Sequence, residues 1–313
     1  MIEITDLTHR YGSLVALDRL TLHIGPGEVF GFIGPNGAGK STAMKILACL
    51  LRPTAGDARV CGHRVHDSGD AIRGLVGYMP DFLGVYEDLT VDEYLQFFAA
   101  AFRIPARNGK RAAVVDSVLQ LTDLTAKRHA MVDSLSRGMQ QRLGVARVLL
   151  HEPQVLLLDE PASGLDPRAR IELRSLLTEL RNMGKCIMVS SHILTELAEM
   201  STSIGIIERG TLLFAGPIGE AFARAGAGER IAVTLEGGPA DARAIAADLA
   251  SDPRVRSVAA EDRSLTIELA PAVNGHHFLI EAVIARGGRI ASFTPRPLKL
   301  EEAFLRLTRG AVN

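Results

Sequence analysis

The sequence has no excess of charge of either sign, only three cysteines, and no apolar stretch that approaches the length of a bilayer-spanning helix. Each absence removes a class of function. Thirty-five lysines and arginines against 36 aspartates and glutamates leave a net charge of −1, without the basic footprint that nucleic-acid or anionic-membrane binding leaves. No nucleic-acid partner is expected. Cys49, Cys61 and Cys186 are scattered, with neither C-x-x-C nor histidine-paired metal spacing. They read as buried free thiols in a reducing compartment. A spanning helix needs about 20 apolar residues, and residues 1–20 lack the apolar core of a signal peptide. The expectation is a cytoplasmic chain. What is present is 47% apolar residues in 313, enough to bury the cores of two domains, one of them α/β.

Residues 34–41 read Gly34-Pro35-Asn36-Gly37-Ala38-Gly39-Lys40-Ser41, a complete G-x-x-x-x-G-K-[ST] phosphate loop. The apolar strand Val29-Phe30-Gly31-Phe32-Ile33 precedes it. A helical pattern follows from Lys40, expected to turn Met44, Ile46, Leu47, Leu50 and Leu51 toward the core. Glycines let backbone N–H groups turn inward around an oxyanion, and the helix N-terminus adds free donors and partial positive charge. Lys40 reaches β/γ-phosphates as a compact cation, and Ser41 offers a hydroxyl to Mg²⁺. With Thr42 these residues form the candidate site for a nucleoside triphosphate.

Val155-Leu156-Leu157-Leu158-Asp159-Glu160 is an apolar run typical of a strand buried on both faces, ending in two carboxylates. At the carboxyl end of a central parallel strand, Asp159 would lie beside the phosphate loop as a Mg²⁺ ligand. Glu160 would point beyond the γ-phosphate, where a carboxylate can take a proton from attacking water.

Between these segments lies Leu135-Ser136-Arg137-Gly138-Met139-Gln140-Gln141-Arg142-Leu143; after them come Ser163-Gly164-Leu165-Asp166 and His192. The ordered set over residues 1 to about 220 resembles the ATP-binding cassette family, in its export-type branch of multidrug, lipid and glycan exporters. The resemblance implies a P-loop ATPase core, with a RecA-like sheet, an antiparallel β subdomain and a helical subdomain. It also implies a head-to-tail homodimer that clamps each ATP between one copy's phosphate loop and the other's Ser136 and Gly138. Taken alone, Ser136 serves equally well as a helix N-cap. Tyr11 matches the aromatic that stacks on adenine, although a tyrosine in a strand also packs. His192 resembles the switch histidine that contacts the γ-phosphate.

Two positions depart from the family pattern. Asp81, in Val76-Gly77-Tyr78-Met79-Pro80-Asp81, stands where the usual residue is Gln; it can bind Mg²⁺ but, ionised, cannot donate a hydrogen bond to water. Arg137 and Met139 stand for Gly and Gln, and Arg137 either adds a cation near the phosphates or projects into solvent. Both changes occur in the export branch.

The domains expected are 1–225, with a helical subdomain over about 89–150, and 229–313. Residues 1–27 read as short antiparallel strands closing at Gly25-Pro26-Gly27. Tyr94, Leu95, Phe97, Phe98 and Phe102 share one side of a helix, and Val114, Val115, Val118, Leu119 and Leu121 mark a second. The apolar segment Phe82-Leu83-Gly84-Val85-Tyr86 either helps form a docking groove or packs beneath the helices. Beyond Gly226-Ala227-Gly228 the order β-α-β-β-α-β plus a closing helix at Leu300–Leu307 fits a small α+β ferredoxin-like domain. It holds no catalytic constellation and reads as regulatory or dimer-stabilising, with His276-His277 as solvated polar residues. The reading is therefore an ATPase subunit that powers export through a separate membrane permease, held at the inner face of the membrane. The alternative is a soluble cassette ATPase of assembly or repair. Repair cassettes insert a long coiled coil between the two nucleotide motifs, and no sustained heptads occur here.

Overall fold

The computed structural model describes residues 1–313 except 83, 85, 87, 225–229, 271, 272, 274 and 297–313. The chain divides into two compact units, Met1–Ile218 and Gly219–Asn313.

The first unit begins with β1 (Ile2–Tyr11) and β2 (Leu14–Ile24), one long hairpin rather than several short strands. Gly12 supplies the left-handed backbone (φ +61°) that its tight turn requires. There follow β3 (Val29–Ile33), α1 (Lys40–Leu47), β4 (Ala55–Val60), β5 (His63–Arg64), α2 (Gly69–Leu75), β6 (Val76–Met79), α3 (Val91–Ala101), α4 (Lys110–Leu121) and α5 (Arg137–Leu149). The unit continues through β7 (Val155–Asp159), α6 (Pro167–Asn182), β8 (Cys186–Ser191), α7 (Leu194–Met200), β9 (Ser203–Glu208) and β10 (Thr211–Pro217), and α8 (Ile218–Arg224) starts at its boundary. An antiparallel sheet has the order β2-β1-β4-β5, and a six-stranded sheet the order β10-β9-β3-β8-β7-β6. In the larger sheet β9, β3, β8, β7 and β6 are parallel, with β10 antiparallel at one edge.

That arrangement positions the chemistry. Every residue of β3, β7 and β8 is buried, which is why these strands read as unbroken apolar runs. Because they run in parallel, the phosphate loop after β3, the carboxylates ending β7, His192 after β8 and Asp81 after β6 leave the sheet at the same edge.

Two expectations about apolar faces need correction. Leu50 is 60% exposed, because α1 stops at Leu47 and Cys49 adopts a left-handed backbone (φ +56°). The Leu50 N–H then closes back on the Lys45 carbonyl at 2.8 Å, a turn that ends a helix. In α3, Tyr94 and Leu95 are buried, but Phe97 and Phe102 face outward. The helix starts at a reciprocal cap: Thr90 Oγ1 accepts from the Glu93 N–H, and the Glu93 carboxylate accepts from the Thr90 N–H at 2.8 Å. Arg128 ties α3 to α4 through Asp92 (2.8 Å) and Asp116.

Cys186 is buried, and burial pushes its thiol up to about 12. Cys49 and Cys61 are half-buried rather than buried, with thiols also raised by desolvation. All three are held in the unreactive protonated form at neutral pH.

The second unit contains β11 (Arg230–Leu235), α9 (Pro239–Leu249), β12 (Val255–Glu261), β13 (Ser264–Leu269), α10 (His277–Ala285) and β14 (Ile290–Arg296). Its antiparallel sheet has the order β12-β13-β11-β14, the ferredoxin-like arrangement. Ile231, Val233, Leu235, Leu265, Ile267 and Leu269 form one sheet face, and Ile245, Leu249, Leu279 and Val283 cover it from the helices. The glycine-rich boundary at 226–228 and the closing helix at 300–307 lie outside the described residues. Among the described residues no helix is long and apolar enough to cross a membrane.

Candidate functional site

The segment from Gly34 to Ser41 joins β3 to α1 with Pro35, Asn36 and Gly37 exposed and Ala38, Gly39 and Lys40 buried. Gly39 is the N-cap of α1 at φ +110°, and a Cβ there would meet the Ala16 carbonyl oxygen at 2.5 Å. Only glycine fits this position. Lys40 Nζ donates to the Gly34 carbonyl at 2.7 Å and the Pro35 carbonyl at 3.3 Å, and lies 3.5 Å from Glu160 Oε1.

Glu160 is buried, with a left-handed backbone (φ +51°) that costs a non-glycine residue about 1 kcal/mol or more. Its second oxygen is 2.8 Å from His192 Nδ1. Since an ionised carboxylate only accepts, Nδ1 carries the proton in this pair. Asp159 is 3% exposed. The Ser190 hydroxyl donates to Asp159 Oδ1 at 2.5 Å while accepting from the Glu160 N–H at 2.9 Å. Ser190 was not among the residues singled out from the sequence. Its signal was available: two serines, 190 and 191, close an otherwise apolar parallel strand.

Asp81 is largely exposed at the rim, and partial desolvation of its carboxyl pushes its pKa up, reinforced by the charges of Asp159 and Glu160. Arg137 and His192 act in the opposite direction. Tyr78, one side chain inward on β6, has its phenol raised by burial and by the same aspartates.

Lys40, Asp81 and Glu160 line a cleft of ≈270 Å³ with Tyr11, Leu14, Val15, Ala16, Gly37 and Ser41, and His192 stands beside it through its contact with Glu160. Asn36, Ala38, Gly39 and Thr42 complete the lining, and Pro35 precedes them in the loop. Tyr11, at the end of β1, is 47% exposed. A larger groove of ≈610 Å³ lies beside Glu3, His23 and Glu28. It carries no comparable convergence of a cation, paired carboxylates and free helix N–H groups, so chemistry rather than volume selects the smaller cleft.

Ser136 and Gly138 do not line this cleft. Ser136 is exposed and caps α5, its hydroxyl accepting from the Met139 N–H at 3.3 Å. A Cβ on Gly138 would meet the Ala169 Cβ at 3.0 Å, so the start of α5 abuts α6. Arg137 lies across Gly164: a Cβ there would meet its guanidinium carbon at 2.5 Å. The side chain therefore packs on the loop that follows the carboxylates instead of projecting freely into solvent.

Hydroxyl and carboxylate oxygens from Ser41, Asp81 and Asp159 are the hard donors that Mg²⁺ takes. Among the described residues no group of three or more His, Cys, Asp or Glu closes around a metal.

Comparison with known proteins agrees with this chemistry. Residues 17–163 match the family model described as ABC transporter. The chain is 38% identical over 214 residues to the bacitracin transport ATP-binding protein BcrA of Bacillus licheniformis, covering 68% of each chain. It is 34% identical over 319 residues to Nod factor export ATP-binding protein I of Paraburkholderia xenovorans, covering 98% of this chain and 96% of that one. Among solved structures, the dimeric bacterial ABC transporter cassette MJ0796 superposes with a TM-score of 0.63 at 25% identity, over 69% of this chain and 98% of that one.

Proposed function

Because the chain belongs to the ABC transporter family, as an export-type ATP-binding subunit and an ATPase, we propose that two copies clamp two molecules of Mg²⁺-ATP between them. Hydrolysis then drives export of an amphipathic substrate, such as a drug, lipid or glycan, through a separate membrane permease. The observation that carries this reading is the convergence of Lys40 and His192 on the Glu160 carboxylate that lines the cleft, at 3.5 Å and 2.8 Å.

Each side chain has a defined task. Lys40 neutralises the β/γ-phosphates, and the N–H groups of residues 37–42 cradle them. Bound Mg²⁺ would draw charge from the terminal phosphate oxygens, with Ser41, Asp159 and Asp81 as the residues that would hold it. Glu160 accepts the proton of the attacking water, and His192 Nδ1–H holds its carboxylate in place. Tyr11 stacks on adenine at the open end of the cleft.

Ser136 and Gly138 lie away from this cleft in their own chain, which fits a partner's ATP as their target. A helix N-terminus with an exposed hydroxyl is a ready phosphate site. The measurement is mass by light scattering on full-length Glu160→Gln protein. It should double on adding Mg²⁺-ATP and remain monomeric without it. A strictly monomeric result at high protein concentration would count against the sandwich.

For the permease, we favour a ≈270 Å³ groove lined by Leu50, Tyr78, Phe98, Phe102, Arg147 and His151. Phe82, 84% exposed, and Tyr86, packed 5.5 Å from Phe97, extend its apolar character. Docking there would place the protein at the cytoplasmic face of the membrane.

We assign the nucleotide site to residues 1–225 and an accessory role to 229–313, whose core is its own. A truncation after Gly228 should retain ATP affinity and basal hydrolysis while altering dimer stability or transport. Loss of ATP binding in a still-folded truncation would place part of the nucleotide site in the tail.

A further inference from the structure

His9 is 6% exposed, and neither ring nitrogen has a hydrogen-bond partner. A buried polar ring left unpaired costs stability that an apolar side chain of similar size would not. Its position is therefore not explained by packing of the β1–β2 hairpin alone. The contact it does make is with Tyr11: the two ring centroids are 4.6 Å apart and the planes meet at 77°. Edge-to-face contact is the favourable arrangement for two aromatic rings and fixes the plane of one relative to the other.

The hairpin end that carries these rings is itself tied to the phosphate loop. Between the pairs His9↔Leu17 and Arg10↔Val15 the register shifts, leaving Ala16 unpaired in β2. This bulge turns the Ala16 carbonyl toward Gly39, where no Cβ fits. The hairpin end that bears Tyr11 thus abuts the phosphate loop through Ala16, the Tyr11 ring rests on a buried ring, and its outer half stays open to the cleft. A half-exposed tyrosine at a strand end would otherwise sample several orientations.

We propose that His9 is a positioning residue for base recognition, which holds the Tyr11 ring in the plane that stacks on a purine. The inference rests on the assignment of Tyr11 as the base platform. The effect is confined to the base: the phosphates are gripped by residues 34–42, to which the His9 ring makes no hydrogen bond.

The test measures affinities for Mg²⁺-ATP and for Mg²⁺-tripolyphosphate, which lacks the base, by calorimetry on the full-length chain. His9→Leu should weaken ATP about 3- to 10-fold, leave tripolyphosphate unchanged, and leave thermal stability equal or raised. His9→Phe keeps a ring edge-on to Tyr11 and should retain the ratio of the two affinities; His9→Gln keeps polarity without a ring and should lose it. Tyr11→Ala separates the two layers. Unchanged ATP affinity in Tyr11→Ala would overturn the platform assignment. A loss there, with His9→Leu and His9→Gln unaffected, would overturn the role of His9 alone. Parallel losses for ATP and tripolyphosphate in the His9 variants would also overturn it, since they would mark a disturbed phosphate loop. Should His9→Leu fail to fold, the comparison of His9→Phe with His9→Gln decides the matter.

Discussion

Replacement of Glu160 by glutamine lowers ATP turnover by about 10²- to 10⁴-fold while Mg²⁺-ATP binding persists. The substitution is nearly isosteric, so the left-handed backbone at this position, the N–H bond to Ser190 and the packing beneath it are retained. What is lost is the negative charge that we propose takes a proton from water. Loss of that charge also removes the attraction to Lys40 Nζ at 3.5 Å, which leaves the lysine freer to face a phosphate. Binding should therefore hold or tighten as turnover falls. Steady-state hydrolysis and nucleotide affinity measured on the same preparation check this, and near-normal turnover would remove Glu160 from the role of base.

Lys40→Ala acts on the other quantity, affinity. A charge-assisted hydrogen bond to phosphate is worth about 1.5 to 3 kcal/mol, so ATP should bind about 10- to 100-fold more weakly. Ser136→Arg disables the other half of a composite site by placing a long cation at the cap of α5. It also removes a cap whose loss costs that helix about 1 kcal/mol, so its fold must be verified first. Each variant alone should be nearly inactive. Mixed, they should recover about a quarter of wild-type activity, because random pairing makes half the dimers mixed and each of these keeps one intact site of two. Absence of recovery from two folded, dimerising variants would argue that each chain works with its own signature segment.

Much of this was legible in the sequence because the informative residues are contiguous. Val29 to Ser41 and Val155 to Glu160 are each a strand followed by its chemistry, and β-α-β-β-α-β periodicity carried the second unit. What could not be read are relations between segments. The bond from Ser190 to Asp159 joins residues 31 apart through the parallel register of β7 and β8, which periodicity does not reveal. The same holds for Arg137 across Gly164 and for His9 against Tyr11. Leu50 was misjudged for a local reason: a helical apolar pattern continues in the letters after Cys49 has already turned the backbone.

Ser190 also sets a limit on how this chain can drift. A completely buried position in a parallel strand ordinarily favours valine or isoleucine, so selection for fold alone would push it toward either. Its hydroxyl proton is committed to Asp159 and its lone pair to the Glu160 N–H, and an aliphatic replacement would leave both unanswered. Residues 159, 160 and 190 are therefore coupled, and a change at one is expected to be felt at the other two. A lineage that abandons hydrolysis is released from the serine, and an aliphatic residue at 190 would then record that loss even where both carboxylates survive.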